Sequence, residues 1–159
     1  MKRWLAILLI AFGFCLAQDG GRSRWKGLEF LFGDWAGAGR GQPGARSGDY
    51  SFLPDLQGQV VVRRSFNQLA NGPRHEDLLV IYADGSGGAQ RGMYFDSEGH
   101  VIRYKVSSPG PDRAVFESEG EGPRYRLTYW MAGKILKGTF EVGDKIYLQW
   151  DSVRKEKAE

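Results

Sequence analysis

The sequence predicts an all-β fold: a single antiparallel up-and-down β-barrel of about ten strands, with a short N-terminal helical turn closing one end. Three observations carry this expectation. From residue 35 to 153, short runs of alternating apolar and polar residues follow one another, and no stretch repeats at helical spacing. The runs are separated by turn chemistry: Asn71-Gly72-Pro73, Asp84-Gly85-Ser86-Gly87-Gly88, Ser97-Glu98-Gly99, Pro109-Gly110-Pro111-Asp112, Ala132-Gly133 and Gly143-Asp144. The composition agrees, because 23 glycines and 13% aromatic residues suit tight turns and pleated faces better than helices.

The N-terminus is set apart from the fold. Lys2 and Arg3 form a positive lead, residues 4–16 an apolar run, and Cys15-Leu16-Ala17 puts small residues at the two positions a signal peptidase reads. Residues 1–17 are therefore expected to be a signal peptide and the protein to be exported, periplasmic or secreted. The apolar run is short for a permanent span, so no stable membrane span is expected after processing. A retained N-terminal anchor is the alternative; bulky Phe14 before Cys15 argues against a lipoprotein.

Removing 17 of 159 residues leaves 142, enough for one domain with its own core. We divide them into a flexible lead-in at 18–27 and a barrel domain at 28–155. The cut removes the only cysteine, so packing and not disulfides must hold the mature fold. It also lowers the formal net charge from +3 to +1. Near-neutrality argues against nucleic acid, which asks for a strongly basic stripe.

Within the domain, residues 28–32 are a compact apolar run expected to make one helical turn that plugs a barrel end. In Gly33-Asp34-Trp35-Ala36-Gly37-Ala38-Gly39-Arg40-Gly41, one large ring shares a strand face with three glycines, which let the strand bend or another group lie close over it. Later strands are expected near 48–53, 58–68, 75–83, 89–96, 100–107, 113–119, 123–132, 134–142 and 145–154. The short connections imply antiparallel neighbours, and neither a repeat nor a second composition regime calls for another domain.

The Gly33-Asp34-Trp35 strand after a short apolar turn, followed by a meander, resembles the opening of calycin barrels. It is most similar to the nitrobindin-like and fatty-acid-binding-protein-like ten-stranded members. The mature chain, with Arg91-Gly92-Met93-Tyr94-Phe95-Asp96 running into Gly99-His100-Val101-Ile102-Arg103-Tyr104, resembles exported bacterial lipocalin-like domains of unassigned function. Nitrobindin-like proteins bind haem through a histidine on a strand near the C-terminus. The corresponding stretch here, residues 145–151, has none, and only Tyr147 would offer an axial ligand there.

Catalytic motifs are sparse. Residues 39–44 match G-x-G-x-x-G, but Pro43 and the following Ala45-Arg46-Ser47-Gly48 read as a turn and not as the helix start a phosphate cradle needs. In His75-Glu76-Asp77, alternation sends His75 and Asp77 to one face and Glu76 to the other. At most two ligands converge locally, where zinc wants three or four. No metal site and no cofactor are therefore expected. No G-x-S-x-G or H-E-x-x-H occurs, and the carboxylates are scattered singly.

Sorting the strand faces is more productive. Leu79 and Ile81 share a face with His75 and Asp77; Ile102 and Val106 with His100 and Tyr104; Leu127 and Met131 with Tyr125 and Tyr129; Phe66, Val60 and Val62 with Arg64. If those faces point inward, Arg64, His75, Asp77, Tyr104, Tyr125 and Tyr129 become polar groups on apolar walls, the makeup of a pocket for a small lipophilic or amphipathic molecule. Arg64 would then meet a ligand's acidic head group. The expected function is an exported small-molecule binder without catalytic activity. The alternative is an enzyme acting on such a ligand with His75 or His100 as acid–base group, and haem or nitrogen-oxide binding is the third choice. A barrel filled by its own side chains is the competing architecture.

Overall fold

A computed structural model of the chain describes residues 24–38, 48–68, 73–85 and 88–156. The expected signal peptide and the glycine match at 39–44 lie outside the described residues.

Ten strands follow in chain order: β1 (Gly33–Gly37), β2 (Gly48–Asp55), β3 (Val60–Gln68), β4 (Arg74–Asp84), β5 (Ala89–Asp96), β6 (Val101–Gly110), β7 (Arg113–Ser118), β8 (Tyr125–Ala132), β9 (Ile135–Val142) and β10 (Lys145–Arg154). Each pairs antiparallel with its chain neighbours, and β10 returns to β1, so the sheet closes into one barrel. Closure leaves no edge of unpaired backbone, the main hazard of an open antiparallel sheet.

The register defines two faces. Cross-strand rows such as Tyr50–Ser65–Asp77–Asp96 and Phe52–Arg63–Leu79–Tyr94 run around the inner wall. On β8 and β9 the inner row sets Tyr129 beside Gly138, which in turn faces Trp150 on β10. Gly138 has no alternative at this place, since the Trp150 indole occupies the space a Cβ would need.

One end of the barrel is plugged, as the sequence predicts. The turn at Glu29–Leu31 is a single 3-10 turn, started by the Leu28 amide on the Trp25 carbonyl (2.8 Å) and continued by Leu31 on Leu28 (3.0 Å). Leu28, Leu31 and Trp35 are fully buried, and the Trp35 indole N–H donates to the Leu31 carbonyl at 2.7 Å. Arg154 locks this end: its guanidinium lies 4.4 Å from the Trp35 ring centre and donates to the carbonyls of Phe32 and Phe30.

The plug begins earlier than the boundary at 27/28 drawn from the sequence. Trp25 is also fully buried and donates its indole N–H to the Gly58 carbonyl at 3.0 Å. A ring of that area gains too much from burial to remain in a solvated lead-in. It grips the β2–β3 turn, where Leu56 and Gln57 both hold positive φ (49° and 57°), a conformation that non-glycine residues seldom adopt unaided.

Candidate functional site

The end opposite the plug is the chemically interesting one. Inward-facing Tyr50, Phe52, Tyr104, Phe116, Leu127 and Tyr129 are buried in the middle of the barrel. Nearer the far end, His75, Tyr94, Ile102, Tyr125, Phe140 and Trp150 face the same interior but are only partly buried. Among the described residues this end is less closed than the plugged one, and its partly exposed inner side chains outline a cup over the buried core.

The cup has an aromatic wall and a polar floor. Tyr125 and Phe140 stack with centroids 5.8 Å apart and planes at 12°, and Trp150 meets Tyr129 edge-on at 5.6 Å. The floor is an ion pair between Arg63 on β3 and Asp77 on β4, with side chains only 10% and 6% exposed. The Arg63 guanidinium also lies 5.2 Å from the Tyr50 ring centre. Tyr50 donates its hydroxyl to Ser152 Oγ at 2.9 Å. Two buried polar atoms beside this floor, Arg63 Nε and the Tyr129 hydroxyl, have no hydrogen-bond partner among the described residues.

Electrostatics at the floor follow from burial. Desolvation pushes the Tyr50, Tyr94, Tyr104 and Tyr129 phenols above their ordinary range, so they are neutral donors at any physiological pH. Burial opposes the charge on Arg63, the Asp77 carboxylate is the largest contribution in its favour, and the guanidinium stays protonated. Because Asp77 already neutralises Arg63, the floor carries no net charge.

Five of the six residues singled out by strand-face sorting lie on the inner wall: His75, Asp77, Tyr104, Tyr125 and Tyr129. The sixth does not. Arg64 is exposed on the outer face, together with Phe66, and Arg63 occupies the inner position. Strand β3 alternates in both registers, with Val60, Val62, Arg64 and Phe66 on one face and Val61, Arg63, Ser65 and Asn67 on the other. Side-chain apolarity favours the first set. Pairing decides for the second, because Val61 must sit opposite inward Ile81 and Ser65 opposite Asp77. Outward Phe66 is covered instead by the Arg74 guanidinium, 4.6 Å from its ring centre. Arg64 and Phe66 line an open pocket of about 610 Å³ across β1–β5 that also draws in Tyr50, Ser65, Asp77 and Asp96 from the inner row and is edged by the Asp49–Lys155 ion pair.

The mouth carries a second cluster that local spacing could not reveal. His75 Nδ1 is 3.0 Å from Glu98 Oε1, and its Nε2 is 3.4 Å from the Tyr94 hydroxyl and 3.8 Å from Asp77 Oδ2. His100 Nδ1 is 2.9 Å from Asp96 Oδ2, which also accepts from the Tyr94 hydroxyl at 3.3 Å. The backbone amides of Glu98 and His100 donate to Asp96 Oδ1, at 3.0 and 2.9 Å. Burial works against the Asp96 carboxylate, yet these amides and the His100 imidazole outweigh it and hold its pKa below the usual range. Counting ligands within residues 75–77 missed this convergence, because Asp96, Glu98 and His100 belong to the β5–β6 turn.

The remaining candidates separate cleanly. His100 is 62% exposed on that turn, outside the cup. Tyr147 is 71% exposed where β10 shifts register between Ile146 and Leu148, with its ring edge-on to Phe140 at 6.4 Å. Comparison of the sequence with protein-family models finds no match, and comparison with curated proteins finds none at a significant level.

Proposed function

We propose that this protein is an exported, calycin-like barrel that binds a small amphipathic molecule in the cup, apolar part against the aromatic wall and polar part toward the floor. The observation that carries the reading is the combination of a partly exposed aromatic interior with two buried polar atoms unpartnered among the described residues, Arg63 Nε and the Tyr129 hydroxyl. A buried donor without an acceptor costs about 1–3 kcal/mol, and a ligand oxygen placed at the floor relieves that cost. The neutralised Arg63–Asp77 pair favours an uncharged head, such as an alcohol, ester or amide, over the acidic head the outward Arg64 would have met. Burying eight methylenes contributes roughly 6 kcal/mol gross at about 0.8 kcal/mol each, which supports affinities of tens of micromolar.

Native mass spectrometry of the exported protein, purified without detergent, tests this reading. A bound species of a few hundred daltons that is a neutral or weakly polar lipid supports it. A one-equivalent haem adduct would transfer the assignment to haem chemistry. A second reading, an enzyme with His75 as acid–base group, draws on the 3.0 Å contact between His75 and Glu98 at the cup's mouth. Chemical change in the ligand on incubation, lost in His75→Ala, would favour it.

A further inference from the structure

We propose that the mouth cluster is a binding site for a divalent transition-metal ion of the zinc class, held by His75, Asp96, Glu98 and His100. The chain has only two histidines, and although 25 positions separate them both reach Glu98, His75 at 3.0 Å and His100 at 3.9 Å, while His100 also meets Asp96 at 2.9 Å. One ligand atom each from His75, Asp96 and Glu98 lies within 4.8 Å of the others. In tetrahedral coordination with bonds of about 2.0–2.2 Å, donor atoms lie roughly 3.3–3.6 Å apart. The donor contacts here, 2.9 Å for His100–Asp96, 3.0 Å for His75–Glu98 and 3.9 Å for His100–Glu98, bracket that spacing. Small side-chain rotations therefore suffice to admit an ion.

Two further observations favour a metal over an ordinary polar turn. Among the described residues no lysine or arginine pairs with Asp96 or Glu98, and the only cationic partners open to these two carboxylates are the imidazoles. The second nitrogen of His75 faces Asp77 at 3.8 Å, and Asp77 is itself held by Arg63. A carboxylate behind the imidazole is the arrangement that orients metal-binding histidines and raises their basicity. Two nitrogen donors with two carboxylates suit zinc, cobalt or manganese and disfavour calcium and magnesium, which prefer all-oxygen shells. The site shares His75 with the mouth of the cup, but metal binding and ligand binding are read separately, so either proposal can fail alone.

The test is titration of Zn²⁺ into the untagged mature protein by calorimetry, with Co²⁺ absorption as the coordination readout. One equivalent binding at micromolar Kd or tighter, with visible Co²⁺ bands of a nitrogen–oxygen site, is expected. His75→Ala and Glu98→Gln should each weaken it at least tenfold, while circular dichroism in EDTA stays native. Glu98 is 55% exposed, so its variant remains readable even if His75→Ala does not fold. Absence of stoichiometric Zn²⁺ binding, binding indifferent to Glu98→Gln, or Ca²⁺ competing on equal terms would each overturn the proposal.

Discussion

Replacing Asp77 by asparagine removes one charge and almost no volume, and the structure says what must follow. Arg63 is a buried cation whose only carboxylate partner among the described residues is Asp77, and the pair is 10% and 6% exposed at the side chains. So little of the guanidinium is exposed that water replaces the lost partner only in part. Breaking a buried pair from one side costs about 3–5 kcal/mol, because it leaves the other charge uncompensated. Set against a typical domain stability of about 5–15 kcal/mol, that is a loss of roughly a fifth or more. The reverse variant, Arg63→Met, keeps most of the stem's volume and leaves Asp77 with a polar neighbour, His75, 3.8 Å away. It should cost less than Asp77→Asn. The double variant Arg63→Met/Asp77→Leu should recover much of the loss, since an apolar pair avoids burying either charge. Urea unfolding followed by tryptophan fluorescence measures all three, with Arg64→Ala as the outward control, expected within about 0.5 kcal/mol of wild type. A cost below about 1 kcal/mol for Asp77→Asn, or a larger cost for Arg64→Ala, would refute the inward register of β3.

Two further outcomes follow from burial. Trp35→Ala empties the plug and strands the Leu31 carbonyl and the Arg154 guanidinium, so urea unfolding should show a loss of roughly 3–5 kcal/mol; less than about 1 kcal/mol would mean the end is not sealed by this ring. Tyr50, Tyr94, Tyr104 and Tyr129, four of the seven tyrosines, have phenol pKa values raised by burial, whereas the unfolded chain ionises them near pH 10. The stability they contribute is complete below pH 10 and declines as pH rises above it. Phenolate absorbance should therefore appear in two stages, the later one coincident with loss of circular dichroism. A single smooth titration of all seven in the folded protein would contradict this.

What was legible in the sequence follows from the range of the interactions involved. Strand positions depend on neighbours two residues away, so the runs at 89–96 and 145–154 could be read directly. Inward Tyr125 and Tyr129 could be read too, because Leu127 and Met131 leave β8 one apolar face. On β3 both faces are amphipathic, and only pairing with β4 chooses Arg63 over Arg64. Trp25 looked like linker because its glycine-rich surroundings carry no period, and its pocket is built by the β2–β3 turn 33 positions away. The mouth cluster was invisible for the same reason: His75 meets Glu98 only because β4 and β5 are antiparallel and their far ends fall side by side.

The central claim is that the barrel holds an open, occupiable cup, and one titration addresses it directly. The neutral fluorescent probe N-phenyl-1-naphthylamine is added to wild type and to Ile102→Trp, a variant that places an indole in the cup beside Tyr94. Saturable binding of one probe per chain in the micromolar range, quenching tryptophan emission, is expected for wild type. In the folded variant it should fall at least tenfold. No saturable binding to wild type, or equal binding to both proteins, would contradict the cup and leave a barrel filled by its own side chains.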